Sequence, residues 1–301
     1  GTGMPEKVTH LAAGFFGGVA GTEGATVILG TLNSQVLVVD AGSGQVLLDL
    51  HGHTSRVLAL ALMPDKRGVV SGGDDGTLRL WDLHGGAEVR ILPYPGALVA
   101  ATAVDIAPDQ RRGLVAWMDN SISVWEMNSG AEVCRLRGHG EMPFAGAAFL
   151  PDSRRVASGS GDIYGPSEDN TVRLWDAETC QELEVFRGHT DRLWDIAVSP
   201  DGQWIVSGSH DGTVRLWNVA KGSGEILLDL APLAARSVAF SPDGALVAVG
   251  PAKGTSNTPV YDVYIIARAS GTQVQRLAGH SAVVTDLDFS PDGQQLLSAS
   301  V

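Results

Sequence analysis

A chain of 301 residues, 44% apolar and 18% charged, has the composition of a globular protein with room for a sizeable core. Its 21 Lys and Arg against 34 Asp and Glu give a formal charge of −13, which repels phosphate backbones and excludes nucleic acid as a general partner. No apolar run is long enough to cross a bilayer, and Cys134 and Cys180 have no CxxC partner, so they read as reduced thiols of a cytoplasmic protein with no membrane contact.

Taken in chain order, LAAGFFGGVAG (Leu11 to Gly21) could pass for the apolar part of a signal peptide after Lys7. Its glycines and its place ahead of a repeat make it a buried strand instead. GTLNSQVLVVDAGSG (Gly30 to Gly44) then opens a phrase that recurs to the end of the chain. TLRLWDL starts at Thr77, SISVWEM at Ser121, TVRLWDA at Thr171 and TVRLWNV at Thr213, with Trp81, Trp125, Trp175 and Trp217 spaced by 44, 50 and 42 residues. Val39 and Ile266 (in DVYIIARASG, Asp262 to Gly271) stand at the tryptophan position of two further copies. Turn words precede most copies: MPDK at Met63, APDQ at Ala107, LPDS at Leu150, and SPDG at Ser199, Ser241 and Ser290. Gly-His pairs end at His53, His139, His189 and His280.

Each unit holds short runs rich in Val, Ile, Leu and Trp between Pro-Asp-Gly and Asp-Gly turns, the pattern of a four-stranded antiparallel sheet. One such sheet cannot bury both faces, whereas radial stacking does and leaves only short protected edges. The GH, SPDG and DGTVRLWD phrases at this spacing resemble the WD40-repeat β-propellers over essentially the whole chain. The SPDG turns and Ala/Gly-rich composition are most similar to bacterial members. The resemblance implies an all-β, seven-bladed propeller filling 1–301, with blades at about 9–50, 51–94, 95–137, 138–187, 188–230, 231–278 and a partial 279–301. It implies hydrogen-bonded His–Ser–Asp–Trp sets at His53, Ser71, Asp75 and Trp81, at His139, Ser158, Asp169 and Trp175, and at His189, Ser207, Asp211 and Trp217. It also implies that Gly1 to Val8 serves as the outer strand of the last blade. One inner strand would still be missing there, so the natural protein is expected to continue past Val301.

Candidate chemistry is sparse. His51 and His53 have an H-x-H spacing, but no Cys accompanies it and His53 has a structural role, so no metal is expected. GPAKGTS (Gly250 to Ser256) lacks the GK[ST] order of a phosphate loop. Asp162, Glu168 and Asp169 lack calcium-loop spacing. A motif that recurs from unit to unit is architecture, and no catalytic residue or cofactor is assigned. Asp195 and Asp286, at equivalent first-strand positions, are the one pair that a channel enzyme would offer, and they read as solvated channel lining.

Two copies carry insertions in the second-to-third turn, DIYGPSE (Asp162 to Glu168) and PAKGTSNTPVYD (Pro251 to Asp262). Antiparallel alternation puts both on one face, with the connection HTDRLWD (His189 to Asp195) between them. Leu193, Val57, Ala235 and Val284 align as core, but their successors Trp194, Leu58, Arg236 and Thr285 differ in kind, so packing does not dictate that position. Aromatic residues and Arg among adaptable loops form binding hot spots. Tyr164, Glu168, Arg192, Trp194, Lys253 and Tyr261 are therefore the expected surface for a protein or peptide partner. The leading expectation is a non-catalytic scaffold, one module of a larger protein. A sensing or autoinhibitory propeller attached to a kinase-, NTPase- or protease-like protein, and a channel enzyme, are the alternatives.

Overall fold

β-branched and aromatic runs broken by Pro-Asp and Asp-Gly turns favour hairpins, and the computed structural model is a succession of them. The structure describes residues 7–12, 20–21, 26–40, 42–93, 99–140, 145–161, 168–252 and 261–300. Among these there is no helix, hence none long and apolar enough to cross a membrane.

Six four-stranded antiparallel sheets and a seventh of three strands follow one another. Blade 1 holds Ala20–Gly21, Thr26–Gly30, Gln35–Asp40 and Val46–His51. Blade 2 holds Val57–Leu62, Gly68–Gly73, Thr77–Asp82 and Glu88–Pro93, and blade 3 holds Ala101–Ile106, Arg112–Trp117, Ser121–Glu126 and Glu132–Arg137. Blade 4 comprises Ala147–Phe149, Arg155–Gly159, Val172–Asp176 and Gln181–Phe186. Blade 5 comprises Leu193–Val198, Trp204–Ser209, Thr213–Asn218 and Ser223–Asp229. Blade 6 comprises Ala234–Phe240, Leu246–Ala252, Val263–Ala267 and Thr272–Leu277, and blade 7 begins with Val284–Phe289 and Gln295–Ser300. The first strand of each blade touches the first strand of the next, and Ala20–Gly21 touches those of blades 2 and 7, so the inner strands close a ring.

The core lies between blades. Trp175 packs with Leu114, Ile122 and Leu136 of the blade before it, and Trp217 with Leu174 and Phe186. Ile266 fills the same slot against Val206 and Val214, which is why a unit without tryptophan still builds a blade. Each SPDG turn closes on itself: Ser199 Oγ donates to Asp201 at 2.6 Å and accepts from Trp204 N at 2.9 Å, and Gly202 takes φ +66°. Lys66, Gln110 and Ser153 take that left-handed position (φ 60°, 60° and 59°) in the MPDK, APDQ and LPDS versions.

Five inner strands share an irregularity. In blade 5, Leu193 pairs with Ser209 and Asp195 with Gly208, leaving Trp194 as an extra residue, a β-bulge. The same shift makes Leu58, Thr102, Arg236 and Thr285 the extra residues of blades 2, 3, 6 and 7.

Two expectations are corrected. The third strand of blade 7 is Lys7–Ala12, and it runs parallel to Gln295–Ser300, in register from Lys7 opposite Gln295 to Ala12 opposite Ser300. It therefore fills the inner place thought vacant, not the outer one, because the free edge of Gln295–Ser300 offers unpaired N–H and C=O groups to any extended segment. Residues 1–6 of the expected outer strand lie outside the described residues. Leu11 and Ala12 thus belong to blade 7, so Leu11 to Gly21 is not one strand.

The cysteines are not free thiols. Cys134 and Cys180 form a disulfide with Cα atoms 6.1 Å apart. The reason is the offset between blades, where the outer strand of one lies against the third-to-fourth turn of the next. Arg90, the blade 2 counterpart of Cys134, donates there to the carbonyls of Met127 and Asn128, both at 3.0 Å. Cys180 sits where that turn has Gly130, with φ 59° against 71°. With the thiols paired, the ground for a reducing compartment is gone.

Candidate interaction site

The face carrying both insertions is held by three copies of one network. In blade 5 His189 Nδ1 lies 2.9 Å from Asp211 Oδ2, His189 Nε2 lies 2.8 Å from Ser207 Oγ, and Trp217 Nε1 donates to that Oγ at 2.8 Å. Blade 2 repeats it through His53, Asp75, Ser71 and Trp81, and blade 4 through His139, Asp169, Ser158 and Trp175. A neutral imidazole satisfies every atom: Nδ1–H donates to the carboxylate, and Nε2 accepts the serine hydroxyl, which accepts the indole N–H. Burial holds His139 and His189 below the ordinary histidine pKa, against the pull of Asp169 and Asp211. Burial pushes the three carboxylates up, but hydrogen bonds from the histidines and from Thr54, Gly140 or Thr190 more than offset it, leaving them ionised well below the usual range.

These networks pin each connection to the neighbouring turn. In blade 5 Thr190 N donates to Asp211, His210 N donates to the Arg192 carbonyl at 2.9 Å, and Ser209 Oγ donates to the carbonyls of Asp191 and Arg192. Arg192 is thus a fixed point, and Trp194 follows at the bulge, with no opposite residue to constrain its side chain. The Arg192 guanidinium carbon lies 4.9 Å from the Trp194 ring centroid, and that of Arg236 lies 4.2 Å from it. His210, 6.4 Å away between centroids, borders the same ring and bonds to Asp191 at 3.1 Å.

Of the six expected contact residues, Arg192 and Trp194 are brought together. Tyr164 and Lys253 lie outside the described residues. Glu168 is exposed at the end of the blade 4 insertion, and Tyr261 is half-buried at the end of the blade 6 turn. Gly161, just before the blade 4 insertion, packs against Arg192, since a Cβ there would come within 2.8 Å of the Arg192 Cβ. In blade 6 Pro251 and Ala252 extend the strand, opposite Ala235 and Ala234, instead of opening the loop. Arg236 and His210 are the members that sequence reasoning did not include. Arg236 was visible as the aligned counterpart of Trp194, but pairing two adjacent bulges needs the ring.

Of the pair expected as solvated channel lining, Asp195 is instead desolvated and bonded, and Asp105 of blade 3 is held in the same way. Asp195 accepts from Val238 N at 2.8 Å and Asp105 from Phe149 N at 2.7 Å, each reaching the next blade's inner strand. Burial raises both, Asp105 to about 6, outweighing these donations. Asp195 is also raised by the nearby charge of Asp286. Among the described residues no group of His, Cys, Asp and Glu side chains could hold a metal ion.

The family model described as WD domain, G-beta repeat matches residues 44–82, 130–176, 180–218 and 271–301. The chain is 30% identical over 271 residues to the nuclear distribution protein PAC1 of Arthroderma benhamiae, covering 83% of this chain and 58% of that protein. It is 32% identical over 196 residues to periodic tryptophan protein 2 of Arabidopsis thaliana, covering 64% of this chain and 21% of that protein. A WD repeat-containing protein of Schistosoma mansoni, SL1-17, is 35% identical over 134 residues, 44% of this chain and 42% of its own. The chain spans less than two thirds of the length of each. These relatives are eukaryotic, so they lend no support to the bacterial character expected from the SPDG turns.

Proposed function

The chain belongs to the WD40-repeat family, and from that premise we propose that it is a non-catalytic scaffold binding a protein or peptide partner on the face that carries the 162–168 and 251–262 loops. The observation behind this is the arrangement around Trp194. A tryptophan bordered by two guanidiniums, half-buried at a bulge and anchored by a hydrogen-bonded turn, has the composition and rigidity of a binding hot spot. Asp195 favours the same reading over a channel enzyme, because it spends its carboxylate on a backbone amide of the next blade.

The proposal extends to the whole protein. The propeller acts as one module of a longer chain, as in the relatives that continue beyond the matched part. The test is a double variant, Trp194→Ala with Tyr164→Ala, that retains the thermal melt of the parent. It is expected to lose native partners identified by crosslinking of the parent. Binding of every such partner unchanged would overturn the proposal.

A further inference from the structure

Several arginines of this chain are matched to acids. Arg56 pairs with Asp74, Arg79 with Glu88, Arg154 with Asp176, Arg173 with Glu182, and Arg276 with Asp262. Arg236 stands outside this set, as do Arg90 and Arg268, which donate to carbonyls instead, and Arg215, which lies over the core Trp217. Arg236 forms no ion pair among the described residues, and its Nε is buried with no acceptor. Burial draws its pKa down, and the charge of Arg192 adds to that against the pull of Asp195. Asp195 is a poor counterion, since its carboxylate accepts from Val238 N and burial favours its protonated form. Taking a guanidinium out of water without an acid costs free energy, which the Trp194 ring 4.2 Å away offsets in part. What sets Arg236 apart from Arg215 is that the indole beside it is also bordered by Arg192 on the face that carries the loops, where an acid from outside the fold can be matched.

We infer that the Arg192–Trp194–Arg236 cluster docks a carboxylate-rich segment of a protein partner, with Arg236 taking the partner's acid. The guanidinium fork fits a carboxylate bidentately, and the indole supplies apolar contact for the flanking residues. Arg192 borders the same ring, so its charge adds to the attraction that Arg236 offers a carboxylate there. A nucleic acid would present many phosphates to a chain of charge −13, whereas a short acidic segment meets only the local cations. The inference rests on the reading of this face as an interaction surface and names the chemistry of what it takes.

The probe is a fluorescein-labelled Glu–Gly repeat peptide, compared with a Gln–Gly peptide of equal length by fluorescence anisotropy on the whole chain at low ionic strength. The Glu–Gly peptide is expected to bind about tenfold tighter or more, and Arg236→Gln to abolish that preference. Arg56→Gln, at an arginine already paired with Asp74, is expected to keep it. Arg236→Lys retains charge without the fork and is expected to weaken the preference several-fold, which keeps the test open if Arg236→Gln does not fold. Equal binding of the two peptides, or an unchanged preference in both Arg236 variants, overturns the inference. If the Trp194→Ala, Tyr164→Ala protein loses its native partners while the peptides are not distinguished, this inference alone falls. If Arg236 selects the Glu–Gly peptide and the double variant keeps every partner, the carboxylate site stands and the wider interaction face falls.

Discussion

The guanidinium of Arg236 lies 4.2 Å from the centre of the Trp194 indole, and the two residues occupy the same bulge position of neighbouring blades. Neither has an opposite residue in its own sheet, so each turns to the other across the joint. Cation–π attraction of about 0.5–2 kcal/mol holds them there.

Tryptophans that look alike in the repeat differ in what they bond. Trp217 donates to Ser207, but in blade 3 Val115 stands at the serine position and Trp125 Nε1 is buried with no acceptor. Trp217→Phe should therefore cost about 1–3 kcal/mol more than Trp125→Phe, since one removes a made bond and the other an unmade one. Urea denaturation of both variants measures the difference, and equal costs would contradict the network.

The disulfide closes a loop of 46 residues across two blades. A loop of that size constrains the unfolded chain by about 4 kcal/mol. Cys134→Ser with Cys180→Ser, or reduction, should lower stability by up to that amount. Thiol titration of the denatured, unreduced parent should find no free thiol.

Asp105 works against folding at neutral pH. Its folded pKa, raised to about 6 by burial, exceeds the value near 4 of an unfolded aspartate. Below about pH 4 both states are protonated and nothing is lost; above about pH 6 both are ionised and the folded state bears the full penalty. Asp105→Asn keeps an acceptor for Phe149 N and should be stabilising by roughly 1–3 kcal/mol at pH 8, with the gain gone at pH 4. Asp211 has the opposite sign. Its contribution is present above about pH 4 and is lost as acid protonates it. Denaturation curves of the two Asn variants across pH should slope in opposite senses.

Gln110 holds a left-handed conformation that Gly202, Gly244 and Gly293 hold in the SPDG turns. Gln110→Gly should raise stability by about 0.5–1 kcal/mol, while Gly244→Ala should lower it by about 1–2 kcal/mol. Thermal melts of the pair decide the matter.

The blades were legible because each turn phrase is locally sufficient: SPDG closes on its own serine and aspartate, and GH with DG joins a connection to its neighbouring turn. The tryptophan slot could be read even without tryptophan, since Ile266 meets the same interblade demand. What escaped was whatever depends on the offset between blades. Cys134 and Cys180 are isolated in sequence and adjacent only because an outer strand crosses the next blade's turn. The variable residue after Leu193 was recognisable as free of packing, but its cause, a bulge, is a matter of register. Arg236 stood in the same alignment column as Trp194, yet nothing in one blade says that neighbouring bulges meet.

Lys7 lies opposite Gln295, so the two extremes of the described chain share one ladder. Every other blade assembles from hairpins formed by successive segments of the chain. Only the last must wait for its third strand to be brought back from the far end. Contacts of such long sequence separation form slowly, while local hairpins form fast. The ring therefore resembles a clasped bracelet. Six links can be complete before the clasp is fastened, and the rate of that last event sets how long an open sheet edge is offered to other chains.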